Sequence, residues 1–164
     1  MNLDTLISSN AVISTNDIKS KKRALELLAE LLAKEANRIN QPGEEEIDAL
    51  KIFQLLTERE KLGSTGMGHG VALPHTRTSL TKHAIGAFLK LEDGIDFDSP
   101  DEQKTDLIFA LMVPEHFTDE HLKILAYLAS LFNNENFCKT IRSTTDNEEI
   151  YKHLINWQLT SQAS

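Results

Sequence analysis

One segment of this sequence concentrates residue types that do chemistry. It runs from Arg59 to Arg77 and reads REKLGSTGMGHGVALPHTR. Gly63, Gly66, Gly68, Gly70 and Pro74 all precede His75. Glycines let a backbone come close to a bound group and aim its N–H donors at it, and a proline stiffens the approach to the histidine. An imidazole so placed can accept a phosphoryl group, one ring nitrogen attacking while an acceptor holds the other. The same residue is also readable as a hydrogen-bonded structural histidine beside a strand end. His121, in PEHFTDEHLKILAYLASLF, stands three residues after Thr118 in the first turn of a strongly apolar segment. The positive end of a helix keeps an imidazole neutral and favours anions, so His121 can donate a hydrogen bond to a phosphate there. Its plain alternative is a first-turn residue on a solvated edge. Arg59 lies three residues beyond Leu56 and so continues an apolar stripe. There a guanidinium can pair with phosphate oxygens at two points, or cap helix-end carbonyls or pair with Glu58 or Glu60. Ser64, Thr65 and the backbone at Gly66 are further candidate phosphate donors in the loop.

Two nucleotide-binding motifs fail in this segment. A Walker loop needs Lys followed by Ser or Thr after its last glycine, and His69-Gly70 stands there instead. The dinucleotide fingerprint needs a strand before its glycines, and Gly66-x-Gly68-x-Gly70 follows a helical pattern with the wrong spacing. The six histidines match no standard zinc spacing, and Cys138 is the only cysteine. A metal centre and an intrachain disulfide are therefore not expected, and a reducing compartment is the simple reading. Lys and Arg number 17 against 25 Asp and Glu, a net charge of −8. An acidic surface repels a phosphate backbone, which argues against general nucleic-acid binding. The longest apolar run, Leu107 to Val113, is too short for a bilayer, and MNLDTLISSN has no secretory pattern. A cytoplasmic protein is expected.

The elements that must position these groups are legible from periodicity. In a chain of 164 residues a single domain over 1–158 with a disordered tail, 159–164, is expected. Ala11 to Ile13 reads as a short strand. Lys19 to Arg38 reads as a helix whose Ala24, Leu27, Leu28 and Leu31 fall on one face. After the NQPG turn, Glu44 to Glu60 reads as a second helix, with three glutamates in its first turn and Ala49, Ile52, Phe53 and Leu56 as its stripe. GSTGMGHG reads as a loop, VALPH as a strand ending at the proline, and His83 to Leu91 as another strand. LEDGIDFDSPDEQ reads as an acidic loop, and DLIFALMV as a central strand buried on both faces. Helices from Thr118 to Phe132, from Asn134 or Asn136, and from Asp146 to Trp157 close the chain. The class is α/β, a sheet flanked by helices.

KKRALELLAELLAKE, IFQLLTEREKLGSTGMGHGVALPHTR, IDFDSPDEQKTDLIFALMVPE and HLKILAYLASLF together resemble the IIA domains of the bacterial phosphoenolpyruvate-dependent phosphotransferase system. The resemblance is to the fructose–mannitol group, and within it to the free-standing nitrogen-regulatory IIA proteins. The G-x-G-x-x-x-P-H stretch ending at His75 is its most specific part. The resemblance implies a mixed central sheet between helices, phosphorylation of His75, phosphate stabilisation by His121 and a supporting Arg59. It implies an HPr-like, nitrogen-type phosphocarrier as donor, no cofactor, no metal, and a phosphocarrier with a phosphohistidine intermediate. As a regulator, such a chain would act in nitrogen- or potassium-linked control through target proteins that the sequence does not reveal. The alternatives are a sugar-transport IIA component passing phosphate to a permease, and a binding module that is never phosphorylated. Thr76-Arg77 replaces the glycine-lysine pair common in the group. The acidic loop Glu92 to Glu102 is expected to form a rim that steers a basic face of the donor toward His75.

Overall fold

The computed structural model describes residues 1–158; the tail assigned to 159–164 lies outside the described residues. A mixed six-stranded sheet runs in the order β1–β5–β6–β3–β2, with β4 also pairing β6. The strands are β1 (Val12–Thr15), β2 (Gly66–Gly68), β3 (Val71–Ala72), β4 (His75–Thr78), β5 (Ile85–Ile95) and β6 (Thr105–Pro114). Among the described residues five helices flank it: α1 (Lys21–Ile39), α2 (Ala49–Lys61), α3 (Asp119–Phe132), α4 (Glu135–Arg142) and α5 (Asn147–Asn156). The expected α/β class and mixed sheet are what the chain adopts.

β6 is the spine. Its residues from Leu107 to Pro114 are all buried, as expected of a strand covered on both faces. It pairs antiparallel with β5 and parallel with both β3 and β4. Phe88 of β5 stacks on Phe132 of α3 with ring centroids 5.7 Å apart, and Phe109 of β6 and Phe137 of α4 pack on the same Phe132. This aromatic group seats α3 on the sheet. α1 packs against α2 and β5, and its Ala24, Leu28, Leu31 and Leu32 are buried.

Four expectations need correction. LEDGI, read as the start of the acidic loop, is the end of β5. α2 begins at Ala49 rather than Glu44, because Asp48 caps it by accepting from the Leu50 N–H at 3.0 Å. The three glutamates precede the helix, where Glu44 accepts from the Gln41 N–H at 2.6 Å and pairs with Lys82 at 2.9 Å. The glycine-rich segment is not wholly loop: Gly66–Gly68 forms a short strand with a bulge against β3. The chain also does not leave the sheet at Pro74. Proline lacks an N–H and so breaks the ladder, but its carbonyl accepts from the Leu111 N–H at 2.9 Å. His75 then resumes pairing opposite Leu111. His75 therefore opens a strand instead of ending one.

Candidate functional site

His75 is placed by β4 and by the residue two before it. Its Nδ1 lies 2.7 Å from the Leu73 carbonyl oxygen. A carbonyl only accepts, so Nδ1 carries the proton and Nε2 keeps a free lone pair. Leu73 lies between β3 and β4, and its N–H is turned to the Thr65 carbonyl while its own carbonyl meets the ring. Burial pushes the His75 imidazole below its ordinary range; the Leu73 hydrogen bond and the Glu60 charge raise it, and Arg59 lowers it.

His121 reaches the same place from the first turn of α3. The two imidazoles meet edge to face, with centroids 5.3 Å apart and planes 73° apart. His121 is only 8% exposed, and its Nε2 is buried with no hydrogen-bond partner. Burial, then His75 and Arg77, push its pKa down to about 4. Both rings are therefore neutral near pH 7. Thr118 precedes the helix but its side chain makes no capping hydrogen bond.

Arg59, in the last turn of α2, donates from Nη1 to the Gly63 carbonyl at 2.9 Å. It thus serves a helix-end carbonyl and also lines a cleft of about 580 Å³ shared with His75, Arg77 and His121, with Leu122 and Leu125 on one wall. The three residues singled out from sequence converge here. Ser64, Thr65 and Gly66 do not line this cleft. The Ser64 hydroxyl donates to the Phe97 carbonyl at 2.7 Å and accepts from the Gly66 N–H at 3.0 Å. The Thr65 N–H and hydroxyl are both bound by Glu60. Their donors are occupied within the chain.

Arg77 is the group that residue-level reading missed as a site component. The signal was present: positions 75 and 77 of a strand share one face, so the exposed Arg77 had to accompany His75. The acidic loop contributes no carboxylate to the lining of this cleft, which holds two arginines. Asp98 instead pairs with Lys21 at 3.3 Å, and Asp101 accepts from the His69 N–H at 2.9 Å and the Gln103 N–H at 3.1 Å. Among the described residues no group of three His, Cys, Asp or Glu side chains is arranged to hold a metal ion. Nor is any helix among them long and apolar enough to cross a membrane.

The family model described as phosphoenolpyruvate-dependent sugar phosphotransferase system, EIIA 2, matches residues 5–157. The chain belongs to this family. It is 41% identical to a nitrogen regulatory protein of Pseudomonas aeruginosa over 139 residues, 85% of each chain. Among solved structures, the nitrogen regulatory protein IIA-Ntr of Neisseria meningitidis superposes with a TM-score of 0.81 at 35% identity, covering 91% of this chain and 96% of that one. The Escherichia coli mannitol IIA protein shares the fold, with a TM-score of 0.70 at 19% identity over 90% of this chain and 97% of its own. The protein is thus an IIA-type chain of the nitrogen-regulatory kind. Its described core, from the 3₁₀ turn at Leu3–Thr5 to Trp157 after α5, takes in nearly the whole matched span.

Proposed function

We propose that this IIA chain is a phosphocarrier whose His75 accepts a phosphoryl group on Nε2 from an HPr-like, nitrogen-type phosphocarrier, and that its phosphorylation state controls its binding to regulatory targets. The observation that carries the reading is the Nδ1–Leu73 hydrogen bond of 2.7 Å, which leaves Nε2 as the free nucleophile at a cleft containing two guanidiniums. In the transfer, the Nε2 lone pair forms the new N–P bond while the donor's P–N bond breaks and its electron pair returns to the donor ring. The proton stays on Nδ1, donated in the hydrogen bond to the Leu73 carbonyl oxygen, which offsets the positive charge that develops on the His75 ring. Phosphoryl transfer depends mainly on positioning and on charge stabilisation around the equatorial oxygens. Arg59 and Arg77 supply the charge. His121, buried without a partner, gains from the phosphoryl group the hydrogen bond it otherwise lacks. No metal enters this histidine-to-histidine step.

Intact-mass measurement after incubation with phosphoenolpyruvate, enzyme I and an HPr-like carrier tests the reading. The chain gains one phosphoryl mass, and His75→Ala, with an unchanged fold by circular dichroism, gains none. A phosphorylated His75→Ala, or a wild-type chain that never gains the mass, contradicts it.

A further inference from the structure

Glu60 and Lys21 form an ion pair, Nζ to Oε1 2.9 Å, and the Glu60 side chain is only 5% exposed. Neither charge serves its own helix. Lys21 is the first residue of α1, at the positive end of the dipole, and Glu60 lies in the last turn of α2, at the negative end. Burying such a pair carries a desolvation cost that its mutual attraction need not recover. Helix electrostatics and burial both count against these two residues, so their placement calls for another reason.

The hydrogen bonds beyond the pair supply it. Glu60 Oε1 accepts the Thr65 N–H at 3.1 Å, and its carboxylate also takes the Thr65 hydroxyl. Held at two points, Thr65 is fixed in orientation. Its carbonyl accepts the Leu73 N–H at 3.1 Å, and the Leu73 carbonyl in turn accepts from His75 Nδ1 at 2.7 Å. Leu73 has no ladder bond of its own to β6, since the pairing of β3 stops at Ala72 and that of β4 starts at His75. The N–H bond to Thr65 therefore holds the Ala72–Leu73 peptide, directly before the Leu73–Pro74 peptide whose carbonyl accepts from His75 Nδ1, and so fixes the residue that carries that carbonyl.

We infer that Glu60, held by Lys21, is a positioning residue that acts through Thr65 and Leu73 to fix which nitrogen of His75 carries the proton and which is the nucleophile. The inference rests on the reading of His75 as phosphoryl acceptor, but the orientation it describes is measurable without any phosphorylation. Without the anchor Leu73 loosens, its carbonyl is no longer held against Nδ1, and His75 gains access to the Nε2–H tautomer, in which the attacking nitrogen is blocked. Lys21 also lies 3.3 Å from Asp98 and 4.7 Å from the centre of the Phe97 ring, so the acidic loop supports the same anchor.

The test is the ring ¹⁵N spectrum of His75 at pH 8, with the transfer rate from the donor carrier measured alongside, in Glu60→Ala, Thr65→Val, Lys21→Met and Lys21→Arg. Wild type shows the Nδ1–H tautomer. Glu60→Ala and Thr65→Val shift His75 toward Nε2–H and slow transfer by about ten- to a hundredfold, the scale on which small misplacements of a reacting group act. Lys21→Met moves in the same direction, and Lys21→Arg restores both readouts. Thr65→Val leaves the ion pair whole, so it reads the chain of bonds even where Glu60→Ala does not fold. An unshifted Nδ1–H tautomer in Thr65→Val, or in folded Glu60→Ala, overturns the inference. Failure of the wild type to be phosphorylated at all overturns the acceptor reading instead and leaves the tautomer result standing.

Discussion

At the scale of the residue, the proposed function gives two neutral imidazoles different tasks because their partners differ. His75 has a carbonyl on one nitrogen and so presents the other, whereas His121 has no partner on Nε2. His121→Ala should leave the acceptor intact and slow transfer by about a hundredfold, the usual loss for a donor aimed at developing charge. Quench-flow transfer from the carrier checks this, and an unchanged rate would remove the role given to His121. The same burial has a consequence for stability. A histidine held at about 4 in the folded chain binds its proton less readily than the unfolded chain does, whose ordinary value is about 6.5. The unfolded state therefore takes up more protons in that window, and stability falls as pH drops from about 6.5 toward 4. Urea unfolding at a series of pH values should show this slope, and His121→Gln should flatten it. Equal slopes in the two proteins would mean that another group titrates there. His75, His121 and Arg59 were legible because histidines and an arginine next to glycines, at a helix start and on an apolar stripe are unusual. The duty of Thr65 was not legible, since nothing in GST distinguishes a phosphate ligand from a residue fastened inward by a glutamate.

At the scale of the element, the site depends on three ends: the last turn of α2, the first turn of α3 and the restart of the sheet at β4. The long apolar periods of α1, α3 and β6 were readable because each repeats its pattern over several turns or residues. The start of α2 was misread because acidic residues favour a helix N-terminus in general, while here Asn37 of α1 holds the Ile47 backbone, accepting from its N–H at 2.7 Å and donating to its carbonyl at 3.0 Å. That tie comes from a residue ten positions away and keeps the preceding glutamates out of the helix. Asp48 is the cap that decides the boundary, and Asp48→Ala should destabilise the protein by about 1 kcal/mol in urea unfolding. Loss of less than a few tenths would place the boundary elsewhere. The restart of β4 was also hidden, because a proline ends a strand in isolation and only the parallel neighbour β6 shows that pairing continues beyond it.

At the scale of the whole molecule, a chain of net charge −8 presents a cleft lined by two arginines, and under the proposed function that local field is the one a phosphorylated donor would meet. On the proposed reading, Arg59 and Arg77 would draw the donor's phosphoryl group over roughly 8 Å at physiological ionic strength, and such steering acts on the encounter rate. The second-order transfer rate should fall several-fold as salt rises. Arg77→Ala should lower the rate at low salt and flatten its salt dependence, while Asp96→Asn, at a residue that does not line the cleft, should leave the slope unchanged. Stopped-flow rates across a salt series decide this, and a flattened slope in Asp96→Asn with none in Arg77→Ala would restore the acidic loop as the steering element. Charge totals could not reveal the local field, because Asp98 and Asp101 are turned to Lys21 and to backbone N–H groups. The central claim, that Nε2 of His75 is the acceptor, is tested most directly by the ³¹P–¹⁵N coupling in the phosphorylated chain labelled at its histidine nitrogens. The account predicts coupling to Nε2 of His75 alone, and phosphorus coupled to Nδ1, or to any other histidine, would contradict it.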